Sequence, residues 1–184
     1  TDGEVVDGIL TRTRHNASGA QVLGLTLEGK MAYLNKIQVQ AGVTLQQSHY
    51  SKPHIWNKEA PAVKKMMRTP NTYGYFTATY TPIKPLSIAL SGTYTGSMLV
   101  PHEPVPGFLE NPITVNTKDF FDIGLKAAYD FKLYKSMNLQ VNAGVQNIFN
   151  AYQNDFDKGA DRDSGYIYGP SLPRSFFVGV KISY

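Results

Sequence analysis

The sequence predicts an all-β protein whose strands form an antiparallel transmembrane β-barrel. Segments of about 10–12 residues alternate apolar with polar or small side chains, as in strands with two different faces. The connections alternate between short turns and long loops, as in outer-membrane barrels, which have short turns on one rim and long loops on the other. Strands of soluble sandwiches are commonly shorter, about 5–6 residues.

The last segment, residues 174–184, carries this alternation clearly. Its apolar register is Phe176, Val178, Val180, Ile182 and Tyr184. The other register is Ser175, Phe177, Gly179, Lys181 and Ser183. A strand with one face in lipid and the other in a polar lumen has this composition. By itself, the segment also fits the edge strand of a soluble sandwich.

Seven further segments have strand character, which gives about eight strands in all. They are residues 4–14, where the alternation is weak, 20–30, 37–47, 73–81, 86–96, 120–131 and 137–146. The turn at 15–19 and those near 33–36, 82–85 and 132–136 are short, whereas the loops 48–71, 97–118 and 150–172 are long. The whole chain, 1–184, is interpreted as one domain or as part of one.

Composition excludes several classes of protein. There is no apolar run of about 18 residues, so we expect no transmembrane helix. Cysteine is absent, which excludes disulfides and Cys-ligated metals. The net charge of +4 is scattered, without a basic stripe that alternates with aromatics, so we expect no nucleic-acid partner. No aligned nucleophile and base stand out, and we expect no enzymatic activity.

Eight strands could close into a small barrel or form one arc of a wider one. An open arc is not stable alone in lipid, because its free edges leave backbone groups unpaired. A closed eight-stranded barrel has an interior filled by side chains. The inward-facing residues here are mostly amides, Gly, Ser and Thr, with few opposed charges, and this composition favours the wider barrel.

Motifs near the end of the chain resemble a known family. They are Gln-Asn-Ile-Phe-Asn at 146–150, Asp-Phe-Asp-Lys-Gly at 155–159, Tyr-Gly-Pro at 168–170, Pro-Arg at 173–174 and the terminal strand. Asn-Ala-Ser-Gly-Ala at 16–20, followed by Gly24 and Glu28, adds a weaker match. These motifs resemble the carboxy-terminal barrel segment of TonB-dependent outer-membrane receptors of the Bacteroidetes type. Gly179, Ile182 and Tyr184 fit the assembly signal of such barrels, although Phe177 stands where a polar residue is usual.

The resemblance implies a fold, a location and a function. The chain would be the last arc of a plugged barrel of about 22 strands, with the plug and earlier strands outside it. It would lie in the outer membrane of a Gram-negative bacterium and serve TonB-energised import of a siderophore, haem or cobalamin. Implied partners are the lipid bilayer, lipopolysaccharide, the rest of the receptor, the TonB complex and the barrel-assembly machinery. The alternative is a complete small eight-stranded barrel with a structural or adhesive role.

Two sets of residues are candidates for binding. Ligand contacts are predicted on the outer loops at His54, Trp56, Arg162, Tyr166 and Tyr168. The aromatic members could stack on a ligand or stiffen their loops. The residues predicted to face the lumen are Glu28, Gln38, Gln40, Asn142 and Gln146. These could hydrate the wall or hold a plug.

Metal binding is a weaker prediction. Asp155, Asp157, Asp161 and Asp163 offer the hard oxygen ligands that calcium prefers, on a loop with Gly159. They lack the bidentate Glu of an EF-hand, and the alternative is that they pair with Lys158 and Arg162 or are solvated. His49, His54 and His102 could ligate haem iron or be plain surface residues. We expect no other cofactor.

Overall fold

The computed structural model describes residues 3–12, 19–134 and 136–184, and all regular secondary structure in these ranges is β-strand. The strands are β1 (Gly3–Val6), β2 (Ile9–Arg12), β3 (Ala20–Tyr33), β4 (Ile37–His54), β5 (Val63–Lys65), β6 (Thr72–Ile83), β7 (Leu86–Thr95), β8 (Leu99–His102), β9 (Ile113–Asn116), β10 (Phe120–Lys132), β11 (Asn138–Gln146) and β12 (Ser175–Ser183). None of the described residues belongs to a helix that is long and apolar enough to cross a membrane.

Eight of the strands form one antiparallel sheet. Its order is β12-β11-β10-β7-β6-β4-β3, and the short β5 pairs with the far end of β4. The all-β, antiparallel prediction is therefore confirmed. Within the described ranges, β3 and β12 are the two ends of the pairing path and do not pair with each other. Barrel closure thus stays a prediction.

The strand register keeps two chemically different faces apart across the whole sheet. Directly paired residues of antiparallel strands point to the same side. One face is apolar in every long strand: Ile182, Val180 and Val178 in β12, Val141 and Val145 in β11, Leu125 and Tyr129 in β10, Ile88 and Leu90 in β7, Phe76 and Tyr80 in β6, Val43 and Leu45 in β4, Leu25 and Leu27 in β3. We call this the apolar face.

The opposite side, which we call the polar face, carries amides, hydroxyls, glycines and charges. Its paired residues include Gln40 with Thr77, Thr77 with Ser91, and Asn142 with Gly179. All five residues predicted to face the lumen lie on it. The register thus unites side chains that are up to 118 positions apart, from Glu28 to Gln146.

Burial in the sheet is inverted relative to an ordinary soluble fold. The side chains of Leu23 and Val178 are 80% and 78% exposed, while Thr44 and Ser48 on the polar side of β4 are buried. Large apolar residues are exposed in six of the seven long strands, and those of β11 are half-buried. The sheet therefore presents an extensive apolar surface that no described part of the chain covers.

Three predicted segments are wrong, one of them the loop 97–118, which contains the β8–β9 hairpin. Residues 4–14 do not form one strand, because β1 and β2 make a separate hairpin that turns at Asp7 and Gly8, both with positive φ (52° and 77°). Asp-Gly between apolar pairs is a hairpin signal that the alternation analysis missed. The predicted loop 48–71 is also partly strand, since β4 continues to His54 and pairs with β3 as far as Tyr50. Residues 15–18 of the predicted turn at 15–19, and residues 16–18 of the family match at 16–20, lie outside the described ranges.

The connections follow the predicted pattern of short turns and long loops. Short turns join β3 to β4, β6 to β7 and β10 to β11. The long connections are residues 55–71, 96–119 and 147–174, and they leave from the same end of the antiparallel sheet because short and long connections alternate. We call these three segments together the long-loop cluster.

Candidate functional site

The long-loop cluster is a folded unit rather than three independent loops. Arg68 in the first segment donates hydrogen bonds to the carbonyl oxygens of Gly165 and Ile167 in the third. Asn57 in the first donates to Glu103 in the second, at 2.8 Å. The β8–β9 hairpin lies inside the second segment. All three segments are therefore tied to one another.

A small apolar core fills the cluster. It consists of Val100, Phe120, Tyr166 and Tyr168, with Met98, Val115 and Ala151 packed against it. In contrast with the sheet, the cluster encloses a buried apolar core, although its surface also exposes large apolar residues such as Phe108 and Ile167. The two parts of the molecule are thus built for different surroundings.

Asn147 fixes the third segment where it leaves β11. Its side chain is 1% exposed and donates to the carbonyl oxygens of Ala151 and Leu172, both at 2.9 Å. Its own oxygen accepts from the Ala151 amide at 2.8 Å. Its φ of 49° lies in the left-handed region, which Asn tolerates better than most residues. One side chain therefore joins both ends of the loop.

Asp155 holds two tyrosines by their hydroxyl groups. Tyr166 donates to one carboxylate oxygen at 2.8 Å and Tyr168 to the other at 2.5 Å. Burial opposes ionisation of Asp155, but the hydrogen bonds from Tyr168, Tyr166 and Gln153 outweigh it and lower the pKa of Asp155. Burial, followed by the bond to Asp155, raises the pKa of Tyr168 to about 12 and the pKa of Tyr166 even further.

His102, at the end of β8, connects the hairpin to the third segment. Its Nε2 lies 2.9 Å from Oδ2 of Asp157, whose side chain is 3% exposed. Its ring stacks on Tyr166, with centroids 3.8 Å apart and planes 2° from parallel. Asp163 accepts from the amides of Glu103 and Gly165 at 2.9 and 2.7 Å. This carboxylate also connects the two segments.

Beside this network lies a pocket of about 390 Å³. It is lined by Tyr152, Gln153, Phe156, Asp157, Arg162, Asp163, Ser164, Tyr166, Ile167, Tyr168, Gly169, Pro170, Ser171 and Pro173. All of these residues come from the third segment. Concave sites of this size with apolar walls and a few polar groups are typical of small-molecule binding.

A second concavity, of about 490 Å³, lies against β3, β4, β6 and β7. Gln40 donates to the Tyr75 hydroxyl at 3.1 Å, and Tyr75 donates to Glu28 at 3.2 Å. The ring of Tyr75 lies over Gly42, where a Cβ would come within 2.8 Å of it. Two of the residues predicted to face the lumen are therefore joined through a tyrosine that the sequence analysis did not select.

Three of the five predicted ligand contacts line one pocket, and His54 and Trp56 lie outside it. Arg162, Tyr166 and Tyr168 line the 390 Å³ pocket, but both tyrosines are buried and are held by Asp155. His54 ends β4 and packs against Tyr50, with ring centroids 4.7 Å apart. Trp56 is half-buried and its Nε1 is buried without a hydrogen-bond partner. For the two tyrosines, the contacts match the alternative that they stiffen the loop.

The four aspartates predicted as calcium ligands do not share a common contact. Asp155, Asp157 and Asp163 hold tyrosines, His102 and backbone amides respectively, and Asp161 is exposed. Neither Asp155, Asp157 nor Asp163 pairs with Lys158 or Arg162. In residues 3–12, 19–134 and 136–184, no group of three or more His, Cys, Asp or Glu could hold a metal ion. The geometry gives the calcium hypothesis no support.

The residues of the predicted assembly signal lie in or next to β12. Gly179 pairs with Asn142 on the polar face, and Ile182 pairs with Leu139 on the apolar face. Tyr184 follows the last paired residue and is fully exposed. Within the described residues their placement is that of an accessible edge strand, and a role in assembly stays a prediction.

Sequence reasoning missed several residues that organise the cluster. Asn147 and Gln153 are buried, and Arg68 joins two distant segments. Buried amides have no periodic signal in a loop, since each is defined by the carbonyls that surround it. A recognisable hint to the network is that Tyr166 and Tyr168, two positions apart, follow Asp155 in the same loop.

Comparisons with known proteins add no family assignment. No protein-family model matches the chain, and no curated protein matches it.

Proposed function

We propose that this chain is part of the wall of an outer-membrane barrel of the TonB-dependent receptor type, with its long-loop cluster on the outer side. The observation that carries the proposal is the inverted burial of the sheet. An apolar face that continues over seven long strands, backed by a polar face, suits a wall between lipid and a wet interior.

The form of the rims supports the same arrangement. Short turns at one end and a folded, water-exposed cluster at the other are typical of barrels whose outer loops bind. The proposed activity, import of a siderophore, haem or cobalamin energised by TonB, is based on the motif resemblance at 146–150, 155–159, 168–170 and 173–174.

The small eight-stranded barrel has less support. That alternative needs residues 4–14 as an eighth long strand, and β1 and β2 instead pair only with each other. The unpaired outer sides of β3 and β12 also call for further strands, because lipid leaves no water to satisfy free backbone groups. We therefore propose the wider barrel, to which other strands contribute.

The assignment of the faces can be tested with two adjacent substitutions in β11. Val141 lies on the apolar face and Gln140 on the polar face. We expect Val141→Lys to weaken barrel assembly by about 2–4 kcal/mol, because a cation would face hydrocarbon, while Gln140→Lys costs little. Heat-modifiable gel migration and outer-membrane fractionation of the whole gene product measure this. Equal tolerance of both lysines, or a detergent-free monodisperse protein, would contradict the membrane assignment.

The transport activity needs a separate experiment. Uptake of labelled ferric siderophores, haem and cobalamin is compared in cells with and without the gene, and with and without TonB. We expect accumulation of one of these nutrients only when both are present. Correct membrane assembly without TonB-dependent uptake would retain the fold and refute the import function.

A further inference from the structure

The pocket in the long-loop cluster has one wall suited to an apolar ring. Tyr152, Phe156 and Ile167 line it and are exposed, so their surfaces are available to a ligand. Behind them, Tyr166 and Tyr168 are held by Asp155 and do not need to move for a ligand to enter. The volume of about 390 Å³ accommodates a small aromatic molecule.

The carboxylates of the pocket already have partners. Asp157 is buried, with Oδ2 close to His102 and accepting from the Asp163 amide at 3.1 Å. Both oxygens of Asp163 accept from backbone amides. A ligand that brings a positive charge would therefore compete with bonds that hold the cluster together.

Among the charged residues that line the pocket, Arg162 has hydrogen-bond donors that are not in use. It is exposed, whereas Asp157 and Asp163 are not. One N–H of its guanidinium donates to the Gly159 carbonyl oxygen at 3.0 Å, and the other donors have no bond in the described residues. Arginine presents five donors in a planar fork that fits a carboxylate or phosphate. Among the charged side chains of the pocket, the unused hydrogen-bonding groups are thus the N–H donors of Arg162.

We propose that this pocket binds a small aromatic anion, with the ring against Phe156 and Ile167 and the anionic group at Arg162. The ring supplies apolar burial and the guanidinium supplies a charge-assisted hydrogen bond. The inference concerns binding by the folded cluster and does not depend on transport.

Three probes of similar shape and different charge test the proposal: benzoate, benzamide and benzamidine. Each is titrated into the purified whole gene product and followed by ligand-observed NMR. We expect benzoate to bind about tenfold more tightly than benzamide, because an ion pair with the guanidinium replaces a hydrogen bond to a neutral amide oxygen, and benzamidine to bind most weakly.

Variants locate the site. Arg162→Gln is expected to remove about tenfold of benzoate affinity and to leave benzamide nearly unchanged. Lys118→Gln is the matched control, since Lys118 is an exposed cation of the cluster outside the pocket lining, and should change nothing. Phe156→Ala should weaken both benzoate and benzamide. Thermal unfolding of each variant checks that the fold is kept.

Three results would overturn the proposal. They are tighter binding of benzamidine than of benzoate, full benzoate affinity in Arg162→Gln, and no benzoate binding at millimolar concentrations. The first result would show that the negative charges of Asp157 and Asp163 affect ligand binding more than the positive charge of Arg162 does. Binding is measured on purified protein and transport is measured in cells. A loss of uptake in cells would therefore not count as one of these three results.

Discussion

At the scale of single residues, a few polar side chains define the long-loop cluster. Asn147, Gln153 and Asp155 satisfy backbone or hydroxyl groups that would otherwise be buried without partners. An unpaired buried polar group costs about 1–3 kcal/mol, so each side chain has an effect larger than its size suggests. The apolar core of the cluster alone would not fix the path of its loops.

Replacing Asn147 by Ala should destabilise the cluster by about 2–4 kcal/mol, because two carbonyls and one amide lose their partner and Ala is strained at positive φ. Thermal unfolding and limited proteolysis of the loops measure this. Asn154→Ala is the control, since Asn154 is exposed in the same loop. If the two variants unfold alike, Asn147 is not the anchor described.

The Asp155–tyrosine network predicts a stability that depends on pH at both extremes. The lowered pKa of Asp155 means that its contribution is present above the ordinary value of 3.8 and lost as the pH falls through its folded pKa. The raised pKa of Tyr168 means that its contribution is present below 10 and lost as the pH rises toward about 12. Unfolding of Asp155→Asn against pH tests the acid limb. The variant should be less stable than wild type at neutral pH, and the difference should vanish in acid.

At the scale of strands, alternation predicted most of the sheet but not its ends. Strands β6, β7, β10 and β11 begin and end within a few residues of the predicted segments, since a period of two is strong in them. The extension of β4 to His54 depends on pairing with β3 and β5 and has no periodic signal. Pairing partners therefore decide where a strand stops.

The β11–β12 pair depends on the missing side chain of Gly144. A Cβ there would come within 2.5 Å of both the Leu125 carbonyl oxygen and the Phe177 ring. We expect Gly144→Ala to cost about 1–3 kcal/mol through overpacking, measured by thermal unfolding or denaturant. Gly29→Ala is the matched control, because a Cβ at Gly29 meets nothing within 4 Å. An unchanged Gly144→Ala variant would mean that Phe177 does not lie there.

At the scale of the whole molecule, the sheet and the cluster follow opposite rules of burial. The sheet exposes leucines and valines on one side, and the cluster buries Phe120, Tyr166 and Tyr168 in a small apolar core. No single solvent suits both. A boundary between lipid and water at the end of the long strands would satisfy each part.

The proposed orientation can be tested by labelling, since the chain has no cysteine of its own. Lys118→Cys, in the long-loop cluster, should react with a membrane-impermeant maleimide on intact cells. Lys84→Cys, in the β6–β7 turn, should react only after the outer membrane is opened. Both positions are exposed, so access to the correct side decides the outcome. Labelling of Lys84→Cys alone on intact cells would reverse the orientation.

The sequence by itself determined the strand segments, their two faces and the contrast between short and long connections, because a period of two and turn chemistry are local properties. It misplaced the first strand, where the Asp7-Gly8 turn outweighed weak alternation. Only the tertiary structure decided that three distant loops interlock, that Asp155 and Asp157 are internal partners, and that Arg162 keeps unused hydrogen-bond donors at a pocket. These facts depend on contacts between carbonyls, rings and amides that are up to 99 residues apart in the sequence. A local sequence pattern does not encode such contacts.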